Sequence, residues 1–185
     1  MYSNEELQKI IRYESIGDLF PYEGGNDSDI ENYIKSVVAD LNRSTNIIAE
    51  ADYDMYGSGY ASYVDVFCYR KDGSSTSRKS YGVTIEGISL YICRLAPVSI
   101  YGYSKITRHS HGGSSEFLSF DRVNTLPLGD WIEFIEEIVR KVHKYNISIL
   151  DKEYLTSPLP FDAKIPTILG DAPYKIFDAF FYWED

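Results

Sequence analysis

Apolar residues in the first forty positions recur with the period of a helix. Leu7, Ile10 and Ile11 follow Ser3 and Glu6, a pair with capping-box spacing, and the pattern predicts a helix ending near Gly17. FPYEGGND then interrupts the period, with Pro21, Gly24 and Gly25 marking a loop. Ser28 and Glu31 form a second capping pair. Behind them Ile30, Tyr33, Ile34, Val37, Val38 and Leu41 recur at i, i+3, i+4, i+7, i+8 and i+11, the stripe of an amphipathic helix.

From residue 46 the period shortens to two. NIIAEADYD, YASYVDVFCYR, SYGVTIEG, ISLYICR, PVSIYGYSKIT and EFLSFD read as strands, separated by the turn-forming stretches MYGSG, KDGSSTS, RLAP and RHSHGGSS. In ISLYICR, Ile88, Leu90 and Ile92 share one face, and Ser89, Tyr91 and Cys93 share the other. Connections this short join antiparallel neighbours. A third helix opens at LGDWIEF, with Asp130 and Glu133 at capping spacing and Trp131, Phe134, Ile135, Ile138 and Val142 as its buried stripe. Its acids precede its bases, as the helix dipole favours. The spacing also predicts ion pairs Glu136–Arg140 and Glu137–Lys141. Beyond NISIL, Pro158, Pro160, Pro166 and Pro173 predict an extended surface segment before the aromatic end, where Phe177, Phe180, Phe181 and Trp183 are expected to close the core. The order predicts one α+β domain over residues 1–185, an antiparallel β-sheet meander with three main helices packed on one face.

Charge narrows the function classes. Residues 1–55 carry twelve acids against four bases, residues 56–126 five against eight, and residues 127–185 eleven against six, for a net charge of −10. Such a chain repels nucleic-acid phosphates and favours encounter with a basic protein. No apolar run approaches the roughly 18 residues of a membrane span. The N-terminus MYSNEELQK lacks the zones of a secretory signal. The only cysteines, Cys68 and Cys93, read as buried free thiols of a chain in a reducing cytoplasm, with neither a disulfide framework nor a cysteine zinc cage.

The stretch KITRHSHGGSSE sets His109 and His111 one residue apart. Glu116, Asp121 or His143 would have to complete a metal site, and this spacing matches no justified ligand set. Ser114 or Ser115 beside these histidines lacks a nucleophile elbow. The glycines and hydroxyls between strand-like flanks give a hairpin loop, with no metal and no cofactor expected. A metal-dependent hydrolase using His109 and His111 with Glu116 or Asp121 stays the alternative.

AEADYDMYGSGYASYVD, residues 49–65, is the more informative stretch. The chain holds seventeen tyrosines, and four of them stand here among Glu50, Asp52, Asp54 and Asp65. Period-two geometry puts Glu50, Asp52 and Asp54 on one face and Ala49, Ala51 and Tyr53 on the other. Acids for steering and phenol rings for anchoring suit a basic protein partner. The candidate contact residues are Glu50, Asp52, Tyr53, Asp54, Tyr56 and Tyr60. The same tyrosines would serve an exposed hairpin covering its own sheet, and tyrosine-rich strands would also suit a homodimer.

DWIEFIEEIVRKVHKYNISILDKEYL, PLPFDAKIPTIL and PYKIFDAFFYWED resemble the endings of bacterial immunity proteins that neutralise toxins of contact-dependent competition. The resemblance covers residues 80–185 and implies a small acidic cytosolic α+β protein, non-enzymatic, that blocks a basic toxin domain by stoichiometric binding. It assigns no functional residue.

Overall fold

The computed structural model describes residues 1–57, 59–80, 82–109 and 112–184. Two helices come first, α1 (Asn4–Ile11) and α2 (Asp27–Asn42). The strands β1 (Ile47–Asp52), β2 (Tyr60–Ala61), β3 (Tyr63–Arg70), β4 (Thr76–Lys79), β5 (Gly82–Cys93), β6 (Val98–His109) and β7 (Gly112–Ser115) follow. Then come α3 (Ile132–His143), β8 (Ser148–Ile149), α4 (Lys152–Thr156), α5 (Ile176–Phe180) and β9 (Trp183–Glu184). The main sheet runs β1-β3-β5-β6-β7, each pair antiparallel, with β4 on the far half of β5 and β8 parallel to the start of β6. β2 and β9 form a separate two-residue ladder. This is an α+β protein built on an antiparallel meander.

Alternation along the strands divides the core. Val64, Val66, Cys68, Ile88, Leu90 and Ile92 meet the stripes of the two longest helices, Ile34, Val37 and Leu41 of α2 and Phe134, Ile138 and Val142 of α3. The opposite faces of the same strands carry Tyr63, Tyr91 and Cys93, which pack with Leu7 and Ile10 of α1 and with Ile176, Phe177 and Phe180 of α5. So α2 and α3 share one face, while the short α1 joins the C-terminal chain on the other. Burial of each such large apolar side chain is worth about 1.5–3 kcal/mol. Both cysteines are buried free thiols, and Phe177, Phe180 and Phe181 close the core as expected.

Several boundaries differ from the expected ones. α1 ends at Ile11, six residues before Gly17, because Tyr13 turns left-handed (φ 63°) and sends its hydroxyl to Glu184 at 2.5 Å. α2 is capped by Asn26 with Asp29 rather than by Ser28 with Glu31: the Asn26 Oδ1 accepts from the Ser28 and Asp29 amides, and Asp29 accepts from the Asn26 amide. Asp130 makes no cap for α3; its carbonyl instead accepts from the Arg70 guanidinium. GVTIEG and ISLYIC form one strand, Tyr81 before them lying outside the described residues, and FLSFD is no strand but a loop with a 3-10 turn at Phe120–Arg122. The expected pairs on α3 do not form. Lys141 donates to the Asp40 carbonyl oxygen at 2.8 Å, and Glu133, Glu136 and Glu137 make no ion pair among the described residues.

β1 is the outer strand on the side away from β7, and a side chain closes part of its edge. Asn42, the last residue of α2, accepts from the Ala49 amide at 2.9 Å and donates to the Ala49 carbonyl at 2.8 Å, imitating one rung of a ladder.

Candidate functional site

The acid- and tyrosine-rich stretch spans the end of β1, a turn, β2 and the start of β3. Glu50 and Asp52 do alternate with Ala49 and Ala51, and they share the face of Asp65 and Phe67 on β3. Glu50 is exposed but engaged, accepting from the Tyr69 hydroxyl at 2.9 Å and paired with Arg108. Asp52 stands opposite Asp65 and accepts from the Asp54 amide at 2.9 Å, a local turn that begins the loop. Asp54 is exposed. Met55 and Tyr56 follow in left-handed conformations (φ 52° and 61°), a strain that large side chains adopt only where their contacts hold them.

Those contacts centre on Tyr56. Its hydroxyl lies 3.3 Å from Asp65 Oδ2 and 3.4 Å from the Tyr63 hydroxyl, and its ring meets Phe117 and Trp183 edge-on. Tyr63 and Tyr91 stack beneath it with centroids 4.0 Å apart. Asp65 as a residue is partly buried, yet its Oδ1 is closed off from solvent with no hydrogen bond. Burial pushes the Asp65 carboxyl up to about 7; the Ser89 and Tyr56 hydroxyls pull it back and Asp52 adds to the rise. Burial also raises the Tyr56 hydroxyl far above its ordinary value, with the Asp65 charge adding to it. Tyr60 is the second inward ring, packed on Tyr13 and Tyr182. The loop therefore turns Tyr56 and Tyr60 toward the sheet and leaves Asp54 and the edge of Tyr53 outside.

The fold adds groups from α2 that the stretch alone did not suggest. Arg94, buried just after β5, donates to the Tyr53 carbonyl at 3.2 Å and to Glu31 of α2 at 3.3 Å. Lys35, one turn along α2, pairs with Glu31 at 2.7 Å and lies over the Tyr53 ring. The Lys35 hydrogen bond, then Arg94, holds the Glu31 carboxyl below the usual range. Between α2 and the loop is a cavity of about 220 Å³ lined by Asp27, Ser28, Ile30, Glu31, Met55, Tyr60 and Arg94. Asp27 and Glu31 thus stand beside Met55 and Tyr60 of the loop. In sequence they read only as helix-start residues; a link between distant segments through Arg94 leaves no local signal.

The histidine stretch forms the β6–β7 hairpin, with His109 paired to Gly112 and Ser114 and Ser115 along β7; Ser110 and His111 lie outside the described residues. Glu116 is held by Arg122, and by Lys105 at 3.5 Å, which lowers its carboxyl below the usual range. Asp121 lies in the 3-10 turn, and His143 ends α3. Among the described residues no three histidine, cysteine or acidic side chains gather in a metal-holding group. No helix among them is long and apolar enough to cross a membrane. Comparison of the chain with protein-family models, curated proteins and solved structures finds no match.

Proposed function

We propose that the chain is a non-enzymatic cytoplasmic binding protein, an immunity-type inhibitor that neutralises a basic toxin domain by stoichiometric association. Of Glu50, Asp52, Tyr53, Asp54, Tyr56 and Tyr60, the exposed Asp54 and the edge of Tyr53 meet the partner together with Asp27 and Glu31, while Tyr60 walls the cavity, Tyr56 holds the loop from inside, and Glu50 and Asp52 add negative charge from the other sheet face. The observation that carries the reading is the cavity between α2 and the loop, where two acids of α2 stand beside Met55 and Tyr60. Acids at the rim steer a cationic surface, and the apolar lining receives the stem of an inserted lysine or arginine. The inward packing of Tyr56 and Tyr60 gives the loop one shape before encounter, which lowers the ordering cost of binding. Where the toxin is a nuclease, the carboxylates occupy the position of its substrate phosphates.

The test is purification of tagged protein from cells that also express its neighbouring genes. A basic domain recovered in equimolar amount, and lost from an Asp27→Lys/Asp54→Lys variant, supports the reading. Recovery of the chain alone counts against it.

A further inference from the structure

The exposed side of α3 lies apart from the loop region and is built differently. Lys141 and Lys144 turn to Asp40 at the end of α2, and among the described residues the acids of α3 make no ion pair. Glu133, Glu136 and Glu137 instead face a cleft of about 480 Å³ that Asp72 and Asp130 also line. Five carboxylates there stand against two guanidinium groups, Arg70 and Arg140. Arg70 is already engaged, its guanidinium 4.6 Å from the Trp131 ring and bonded to the Asp130 carbonyl. On the other flank of α3 a second cleft, of about 420 Å³, is lined by Tyr101, Ile135, Val139 and His143. Glu136 and Arg140 line both clefts, so the two are one surface divided by the helix ridge. Two large apolar side chains stand at the N-terminal end of that ridge, Ile132 at 56% exposure and Leu128 at 98%.

We propose that this face of α3 is a second docking surface, for a basic protein segment that carries apolar side chains among its cations. Its lysines or arginines enter the acidic cleft, while its apolar residues cover Ile132 and fill the cleft at Tyr101 and Val139. Charge selects this occupant over the alternatives. A second copy of the chain would bring the same excess of carboxylates, and nucleic acid or anionic lipid would be repelled. Ile132 and Leu128, exposed beside the cleft, give such a segment apolar surface to cover. The inference does not rest on the loop reading.

The experiment is an NMR titration of isotope-labelled protein with a short synthetic peptide of equal parts lysine and leucine, beside a lysine-only peptide of the same length. The expected result is saturable shift changes confined to residues 128–143, Tyr101 and the other residues of the acidic cleft, Thr45, Asn46, Arg70 and Asp72. Affinity should fall about tenfold in Ile132→Ser/Glu136→Lys, and by a similar factor for the lysine-only peptide. Both substituted residues are exposed, so the variant should keep its fold. Changes spread over every acidic region, or equal affinity for the variant, would overturn the proposal. Changes confined to residues 50–60 would overturn it too, while leaving the loop reading in place. Sedimentation that shows a dimer dissolved by the same variant would assign the face to self-association instead.

Discussion

Lys141 of α3 donates to the Asp40 carbonyl at the C-terminal end of α2, 2.8 Å away, and Lys144 reaches the Asp40 carboxylate at 3.1 Å. One nearly buried acid thereby ties the two helices of the same sheet face together and satisfies a helix-end carbonyl. The Lys144 hydrogen bond, then Lys141, holds the Asp40 carboxyl below the ordinary range. Its contribution is present above the unfolded value of about 3.8 and is lost as pH falls through the lower folded value. Asp40→Asn should cost about 1 kcal/mol at pH 7. Denaturant unfolding of the two proteins should converge in acid, once the folded carboxyl is protonated as well.

Asp65 has the opposite sign. Its folded carboxyl titrates near 7, above the unfolded value of 3.8, so the native chain holds an extra proton between them. Its contribution to stability is therefore greatest in acid and is lost as pH rises through 7. Unfolding followed from pH 8 to 5 should show rising stability, before the acids held low in the fold (Glu6, Glu31, Asp40 and Glu116) reverse the trend near pH 4. Asp65→Asn should flatten the slope between pH 5 and 8 and gain roughly 2–4 kcal/mol at pH 8.

The amide of Asn42 occupies one rung of the β1 edge. Asn42→Ala leaves the Ala49 amide and carbonyl to solvent, and should lower stability by about 1–2 kcal/mol. An uncovered edge also pairs with other chains. Light scattering at increasing protein concentration should show association of the variant and none of the parent.

Cys93 and Cys68 are shielded thiols. Burial pushes the Cys93 thiol up to about 12 and raises Cys68 as well. Neither should react with a disulfide reagent at pH 8 in the native state, and both should react at once in denaturant. Colorimetric counting of thiols checks this.

Much of the fold was legible where one period ran unbroken. The stripe from Ile30 to Leu41 needs only its own spacing, and so does the alternation of Ile88, Leu90 and Ile92. What escaped was fixed at a distance. Gly87 read as the end of a strand, but it is where the Phe67 ring crosses the sheet: a methyl there would stand 2.8 Å from that ring and 2.4 Å from the Cys68 carbonyl oxygen. Leu118 and Phe120 alternate like a strand yet pack with the C-terminal aromatics. Lys141 had a proper partner at Glu137 and took a better-placed one a hundred residues away. In the candidate region the acids were readable. The burial of Asp65 was not, because a carboxylate between Val64 and Val66 on an alternating strand reads as a solvated position.

The central claim is association with a basic protein through the surface shared by α2 and the loop. Titration calorimetry of the co-purified basic domain, with the parent chain and with Asp27→Lys/Asp54→Lys, tests it most directly. A one-to-one complex is expected, with Kd near or below the nanomolar range, weakened about a hundredfold or more by the charge reversal and further by salt. A complex of unchanged affinity in the variant would contradict it, and so would the absence of any heat of binding.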